Sequence, residues 1–180
     1  MWYVVQTVSG REQTAIEKCQ NALGRERTCK VFTPVCQIEK KFQGQWTIQT
    51  REAFPGYIFI ESNASAEELE EELKPISSIV VPVRIGGGVY PVRPDEEAML
   101  RRMMDENNCI CISVGYLVDQ KLVIREGPLG GFTEAVKWID RHKRIAEVEL
   151  ILLDERRKMR VGLEVRDRMT AQEYHEMIGA

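Results

Sequence analysis

Near residue 107 the apolar pattern of this chain changes character, and no single repeating architecture accommodates both halves. Before that point, strand-like runs alternate with helical ones. "WYVVQTV" has the dense β-branched and aromatic composition of a strand, and "SGREQTAIEKCQNAL" follows it with Ile16, Cys19 and Leu23 on one helical face. Ser9 and Glu12 stand at capping-box spacing, which predicts that this helix opens there. After "NNCICISVGY" only short strand-like runs remain, "QKLVIRE", "TEAVKWI", "AEVELILL" and "MRVGLEV", at the spacing of a small barrel or sandwich. A length of 180 residues suits two small domains. The expectation is an α+β chain with a first domain at 1–108, a short apolar linker at 109–117, a small β domain at 118–170 and a tail at 171–180.

Within the first half, "CKVFTPVCQIEKKF" and "WTIQTRE" read as strands flanking a turn at Gln43 to Gln45, and "GYIFIE" as a further, densely apolar strand. "SAEELEEELK" reads as a short acidic helix from Ser65, packed through Leu69 and Leu73 with its glutamates in solvent. "ISSIVVPVRI" predicts another strand, and "RPDEEAMLRRMMDE" a helix offering Leu100, Met103 and Met104 for packing.

Several function classes are disfavoured at this level. A chain that is 43% hydrophobic and 29% charged, with no long apolar run, is expected to be globular and free of membrane spans, and its amino terminus lacks the form of a secretory signal, so a cytoplasmic location is expected. Five scattered cysteines, with Cys109 and Cys111 separated by one residue and no second pair, do not match the spacing of structural zinc, and no metal or cofactor is expected. "GPLGGF" joins strand to strand and lacks the Gly-Lys-Ser/Thr ending of a phosphate loop. With two histidines, both in polar surroundings, no catalytic constellation stands out, and the chain is expected to act by binding rather than as an enzyme. A net charge of −3 means that any nucleic-acid surface must be local.

Taken together, "WYVVQTVSGRE", "FPGYIFIE", "YPVRPDEE" and "IREGPLGGF" resemble, in order and spacing, the NusG family of transcription elongation factors. The resemblance implies an amino-terminal α/β sandwich with an antiparallel sheet, followed by a KOW domain, a small β-barrel. It also implies that the first domain docks on the clamp helices of RNA polymerase through positions matched here by Trp2, Phe54, Tyr57 and Phe59, and touches the non-template DNA strand from the start of the first helix, where this chain offers Arg11 and Lys18. Aromatic anchors on a rigid sheet suit such docking. "EGPLGGF" resembles the KOW turn, with Glu134 where the family pattern usually carries a glycine.

Beyond that turn the chain gathers Lys137, Arg141, His142, Lys143, Arg144, Arg156, Arg157, Lys158 and Arg160 around Trp138. Pairing "AVKWI" with "AEVEL" would put "DRHKR" at a hairpin tip, with "DERRKMR" as a second loop or strand start nearby. Such a footprint suits phosphates, and the indole suits an unpaired base. This charge is more similar to the specialised members of the family, especially the LoaP group of operon-associated antiterminators, which implies recruitment by a hairpin in the nascent RNA. The alternative is a general NusG-like bridge whose KOW domain meets a ribosomal protein or a termination factor. In either case the chain is expected to act as a monomer.

Overall fold

The computed structural model describes residues 1–24 and 28–179, apart from the side chains of Thr28 and Cys29. The first half forms β1 (Trp2–Gln6), α1 (Glu12–Ala22), β2 (Thr28–Phe32), β3 (Val35–Phe42), β4 (Gln45–Glu52), β5 (Tyr57–Ser62), α2 (Ala66–Leu73), the two-residue strands β6 (Val81–Pro82), β7 (Arg84–Ile85) and β8 (Gly88–Val89), and α3 (Pro94–Met103). The second half forms β9 (Cys109–Ile110), β10 (Ser113–Val118), β11 (Lys121–Glu126), β12 (Val136–Asp140), β13 (Ile145–Leu152), β14 (Glu155–Met169) and α4 (Ala171–Gly179). Two compact units result. One comprises Met1–Pro34, Glu52–Arg101 and Ile151–Arg156, and the other Val35–Arg51, Arg102–Leu150 and Arg157–Ala180.

The first unit is built on an antiparallel sheet ordered β2-β5-β1-β6. Strand alternation divides its side chains between two faces, and the β1–β5 register sets Tyr3 against Ile60 and Val5 against Ile58 on one of them. That face packs on α1 and α2 through Ala15, Ile16, Cys19, Leu69 and Leu73. Helix α2 opens with a full capping box between Ser65 and Glu68. Helix α1 does not. Ser9 makes no cap there, because Glu12 is buried and its carboxylate instead accepts the backbone N–H groups of Gly10 at 2.8 Å and Gly56 at 2.7 Å. The strand expected over Ile76–Ile85 is also shorter. Pro75 seeds a 3-10 turn over Lys74–Ile76, and the Ile79 and Val80 amides bond back to the Ile76 carbonyl rather than to a neighbouring strand.

In the second unit five strands are ordered β11-β10-β14-β13-β12, with β10 and β14 parallel, while β3 lies between β4 and β9 in a separate three-stranded sheet. Segment 109–117, expected as a linker, therefore contains strand β9 and most of β10. The expected tail is helix α4, opened by Thr170 and Glu173 in reciprocal hydrogen bonds and carrying Tyr174 to within 6.0 Å of the Tyr116 ring. The Gly-Pro-Leu-Gly-Gly turn inserts Leu129 into the interior, where its amide bonds the hydroxyl of buried Ser113 at 3.0 Å. Gly127 is required there: its φ is +94°, and a Cβ would lie 2.6 Å from the Ser113 Cα. Glu134 carries no comparable strain. It sits in a 3-10 turn over Thr133–Ala135 and is absent from the positive-φ residues.

Candidate docking and nucleic-acid interfaces

The second face of the first-unit sheet is aromatic. Trp2 meets Phe32 and Phe59 edge-on at centroid separations of 5.3 and 5.8 Å, Phe32 stacks on Phe59 at 5.7 Å, and Phe54 closes the group at 6.3 Å from Phe59. The expectation that these aromatics form the exposed contact is corrected for three of the four. Trp2, Phe54 and Phe59 are 1%, 5% and 0% exposed, because strand pairing places Trp2 and Phe59 on one face and the four rings bury one another. They stiffen the surface rather than present it.

Tyr57 is the member that reaches solvent. It is half-buried, and its hydroxyl accepts a hydrogen bond from Gln6 Nε2 at 2.7 Å. The turn before it is fixed twice, by the Glu12 bond to the Gly56 amide and by the Thr7 amide donating to the Gly56 carbonyl at 2.8 Å. At another edge of the aromatic group, the Arg101 guanidinium lies 4.4 Å from the Trp2 ring centroid and pairs with Glu61 at 2.7 Å and Glu97 at 2.9 Å.

Arg11 and Lys18 are both exposed, and seven residues apart they lie on one side of α1. Arg11 occupies the N-cap position without capping through its side chain. A cation there opposes the helix dipole, a placement that suits an external phosphate.

The basic residues of the second half do not form a single patch. Trp138, 50% exposed, stands opposite Glu147 in the β12–β13 register, and Lys158 and Arg160 on β14 reach the same carboxylate at 3.0 and 3.7 Å. These side chains share the outer face of the sheet. Arg156 is exposed at the start of β14 and belongs to the first unit, whereas Arg157, one residue on, is half-buried. Lys137 is exposed, with Nζ donating to the Glu134 carbonyl at 3.1 Å. Arg141, His142 and Lys143 form the exposed turn between β12 and β13. The Lys143 amide bonds the Asp140 carboxylate at 2.9 Å and holds that carboxyl below its usual range.

Arg144 departs most from the expected phosphate-binding role. Its φ is 52°, its guanidinium binds both oxygens of Glu39 at 3.0 and 2.9 Å with Glu164 at 3.6 Å, and it lies 4.3 Å from the centroid of the Trp46 ring. It is a strut. Lys41 also approaches Trp46, with Nζ 5.7 Å from the centroid. Neither Lys41 nor Trp46 stands among the residues proposed from sequence. The signal that pointed to them was "EKKFQGQW", a pair of lysines and an indole on either side of a two-residue turn.

Cys19, Cys36, Cys109 and Cys111 carry free thiols, while the side chain of Cys29 lies outside the described residues. Burial pushes the Cys19 and Cys109 thiols up to about 11. Asp105, Cys109 and Cys111 bring ligand atoms within 4.8 Å of one another, a grouping hidden from the cysteine spacing because the third member is a carboxylate. One oxygen of Asp105 is already occupied by the Asn107 and Cys109 amides, each at 2.9 Å. No helix among the described residues is long and apolar enough to cross a membrane.

Comparison with known proteins bears on the whole arrangement. Residues 1–101 match the family model NusG, described as transcription termination factor nusG. The transcription termination/antitermination protein NusG of Halalkalibacterium halodurans is 26% identical over 159 residues, covering 83% of this chain and 87% of that protein. The protein of the same name from Neisseria meningitidis serogroup B is 25% identical over 182 aligned positions, 96% of this chain and 92% of that one. Among solved structures, one titled "Domain interaction in Thermotoga maritima NusG" superposes with a TM-score of 0.55 at 21% identity, covering 91% of this chain and 93% of that chain, and bears on the fold.

Proposed function

The chain belongs to the NusG family, whose members are non-enzymatic transcription termination/antitermination factors, and from that premise we propose that it binds transcribing RNA polymerase and promotes processive antitermination. The observation that carries the proposal is the family match over residues 1–101, which includes all of the β2-β5-β1-β6 sheet with its aromatic layer. In this reading Tyr57 meets the polymerase clamp helices, backed by Trp2, Phe54 and Phe59 as a rigid support, while Arg11 and Lys18 face phosphates of the non-template strand. The five-stranded, KOW-like part reads structured nascent RNA through Arg141, His142, Lys143, Lys158, Arg160 and Trp138, with Lys137 at its margin. This reading is that of a LoaP-type member of the family, and the cluster of cations around Trp138 is what supports it.

A transcription assay on a template carrying a leader hairpin upstream of an intrinsic terminator tests the proposal. Added protein is expected to raise read-through on that template and to do less when the hairpin is deleted. Read-through that is unchanged on both templates would remove the antitermination reading. An equal increase on both would remove the RNA-recruitment part and favour the general bridging role.

A further inference from the structure

On the outer face of the five-stranded sheet the cations are partly neutralised by Glu147, which holds both Lys158 and Arg160. A second surface of the same unit is different. The β3–β4 hairpin and the β12–β13 turn enclose a groove of about 410 Å³, lined among others by Lys40, Lys41, Trp46, Arg51, His142 and Lys143. Arg160 lines it too, and its one carboxylate residue is Glu39. Glu39 is already bound through both oxygens by Arg144, so its charge is cancelled from within the wall. Lys40, Lys41 and Arg51 make no ion pair among the described residues. Lys143 and Arg160 are paired, with Asp140 and Glu147 at 3.7 Å each, so in a chain of net charge −3 it is Lys40, Lys41 and Arg51 that form a local concentration of uncompensated positive charge.

An aromatic side chain completes it. Trp46 is half-buried, and the Arg144 strut that pairs with Glu39 also rests on its ring at 4.3 Å. The indole is thus held in place before any ligand arrives, which lowers the ordering cost of stacking on it. Lysines placed beside a fixed aromatic ring match the chemistry of a strand that carries both phosphates and unpaired bases. An acidic peptide would use the lysines but would gain little from the ring.

We propose that this groove is a binding site for an unpaired segment of RNA, with Trp46 stacking on a base and Lys40, Lys41 and Arg51 meeting the flanking phosphates. The inference rests on the RNA-binding reading of this unit and extends it to the β3–β4 hairpin. Lys143 and His142 then contribute to the groove, and Arg144 acts as a positioning residue for Trp46.

The test uses the full chain at low salt with three fluorescent probes: an RNA hairpin with an unpaired loop, the same stem without the loop, and polyglutamate. The looped hairpin is expected to bind more tightly than the closed stem. Lys40→Ala with Lys41→Ala, both exposed, should flatten the slope of log affinity against log salt by roughly 1.4, about 0.7 for each single-strand phosphate that is no longer neutralised. Trp46→Ala should weaken the looped RNA roughly 5- to 150-fold with little change in slope, and Trp46→Phe should recover most of that affinity. Looped RNA that binds the hairpin variants as it binds the wild type, while Lys137→Ala with Trp138→Ala abolishes binding, would overturn the groove and leave the RNA reading standing. Failure of the wild type to bind either RNA at low salt, alongside lysine-dependent binding of polyglutamate, would overturn both in favour of a protein partner.

Discussion

Replacing Glu12 with Ala removes one side chain from the start of α1, yet its main effect is expected at the Phe54-Pro55-Gly56 turn, more than forty positions away in sequence. The carboxylate is buried and accepts two backbone N–H groups, Gly10 at 2.8 Å and Gly56 at 2.7 Å. Hydrogen bonds to a charged acceptor contribute about 1.5–3 kcal/mol each, and an interior donor left without a partner costs about 1–3 kcal/mol. The Gly10 amide is partly exposed and turns to water when the carboxylate goes. The Gly56 amide is enclosed and does not. Assigning about 1 kcal/mol to the first and about 2 kcal/mol to the second gives a loss of about 3 kcal/mol, a large fraction of an ordinary domain's 5–15 kcal/mol. Glu12→Gln retains one acceptor oxygen and should lose about half as much. Urea unfolding followed by circular dichroism reads the total, and hydrogen exchange at the Gly56 amide reads the local part, which should accelerate in Glu12→Ala before other amides of β5. A Glu12→Ala protein within about 0.5 kcal/mol of wild type, the range of an ordinary surface substitution, would refute the reasoning.

Gly56→Ala should destabilise by about 1–3 kcal/mol in the same unfolding assay, because φ is +81° and the new Cβ would meet the Thr7 carbonyl oxygen at 2.9 Å; unchanged stability would show that the turn can relax. Arg144→Ala leaves Glu39 partly buried without its partner and should cost about 1–3 kcal/mol, with Glu39→Gln in the same chain recovering part of the loss; strictly additive effects in the double-mutant cycle would contradict direct coupling. Cys19 ionises at about 11 in the folded chain against 9.0 when exposed, so neutral-thiol burial contributes stability that is complete below about pH 9 and lost as the pH rises toward 11. At pH 8 iodoacetamide should leave Cys19 unmodified in the native protein and alkylate it in urea, as read by mass spectrometry of the peptides; rapid native labelling would contradict its burial.

Much of the fold was legible because the strongest signals were periodic. The α1 pattern at Ile16, Cys19 and Leu23, the hairpin around Gln43-Gly44 and the pairing of "AVKWI" with "AEVEL" follow from spacing and turn chemistry, whereas the register that sets Trp138 against Glu147 includes a shift after Val136 that spacing does not give. The linker expected at 109–117 failed for a physical reason: Cys-Ile-Cys-Ile is apolar, and Cys109 and Ile110 pair with Val35 and Cys36, more than seventy positions earlier. Local sequence carries no trace of such a partner. Other hairpins were hidden for a different reason. Asp119-Gln120 and Leu153-Asp154 adopt positive φ at both positions without a glycine, so the twist of the flanking strands overrides the usual turn preference.

The candidate sites were legible by residue type and less so by role. The aromatics of "FPGYIFIE" stand out as a group in the sequence, but alternation alone does not reveal that Phe32 and Phe54 close over Phe59 and leave Tyr57 as the member facing outward. A count of cations likewise treats Arg144 and Lys143 alike. Only the position of Glu39, over a hundred residues away, makes the first a strut and leaves the second at the surface.

The central claim, that the aromatic-backed surface of the first unit docks on RNA polymerase, is tested most directly by measuring the affinity of the full chain for the core enzyme by biolayer interferometry, in the wild type and in Tyr57→Glu. Tyr57 reaches solvent at the margin of the aromatic group, and only a variant that keeps the wild-type circular dichroism spectrum and unfolding midpoint is compared, so that a change in binding reports on the surface itself. Binding by the wild type, weakened by about 2 kcal/mol or roughly thirtyfold in the folded variant, is the expected result for a central aromatic anchor. Equal affinity of the two proteins, or no measurable binding by the wild type, would contradict the account.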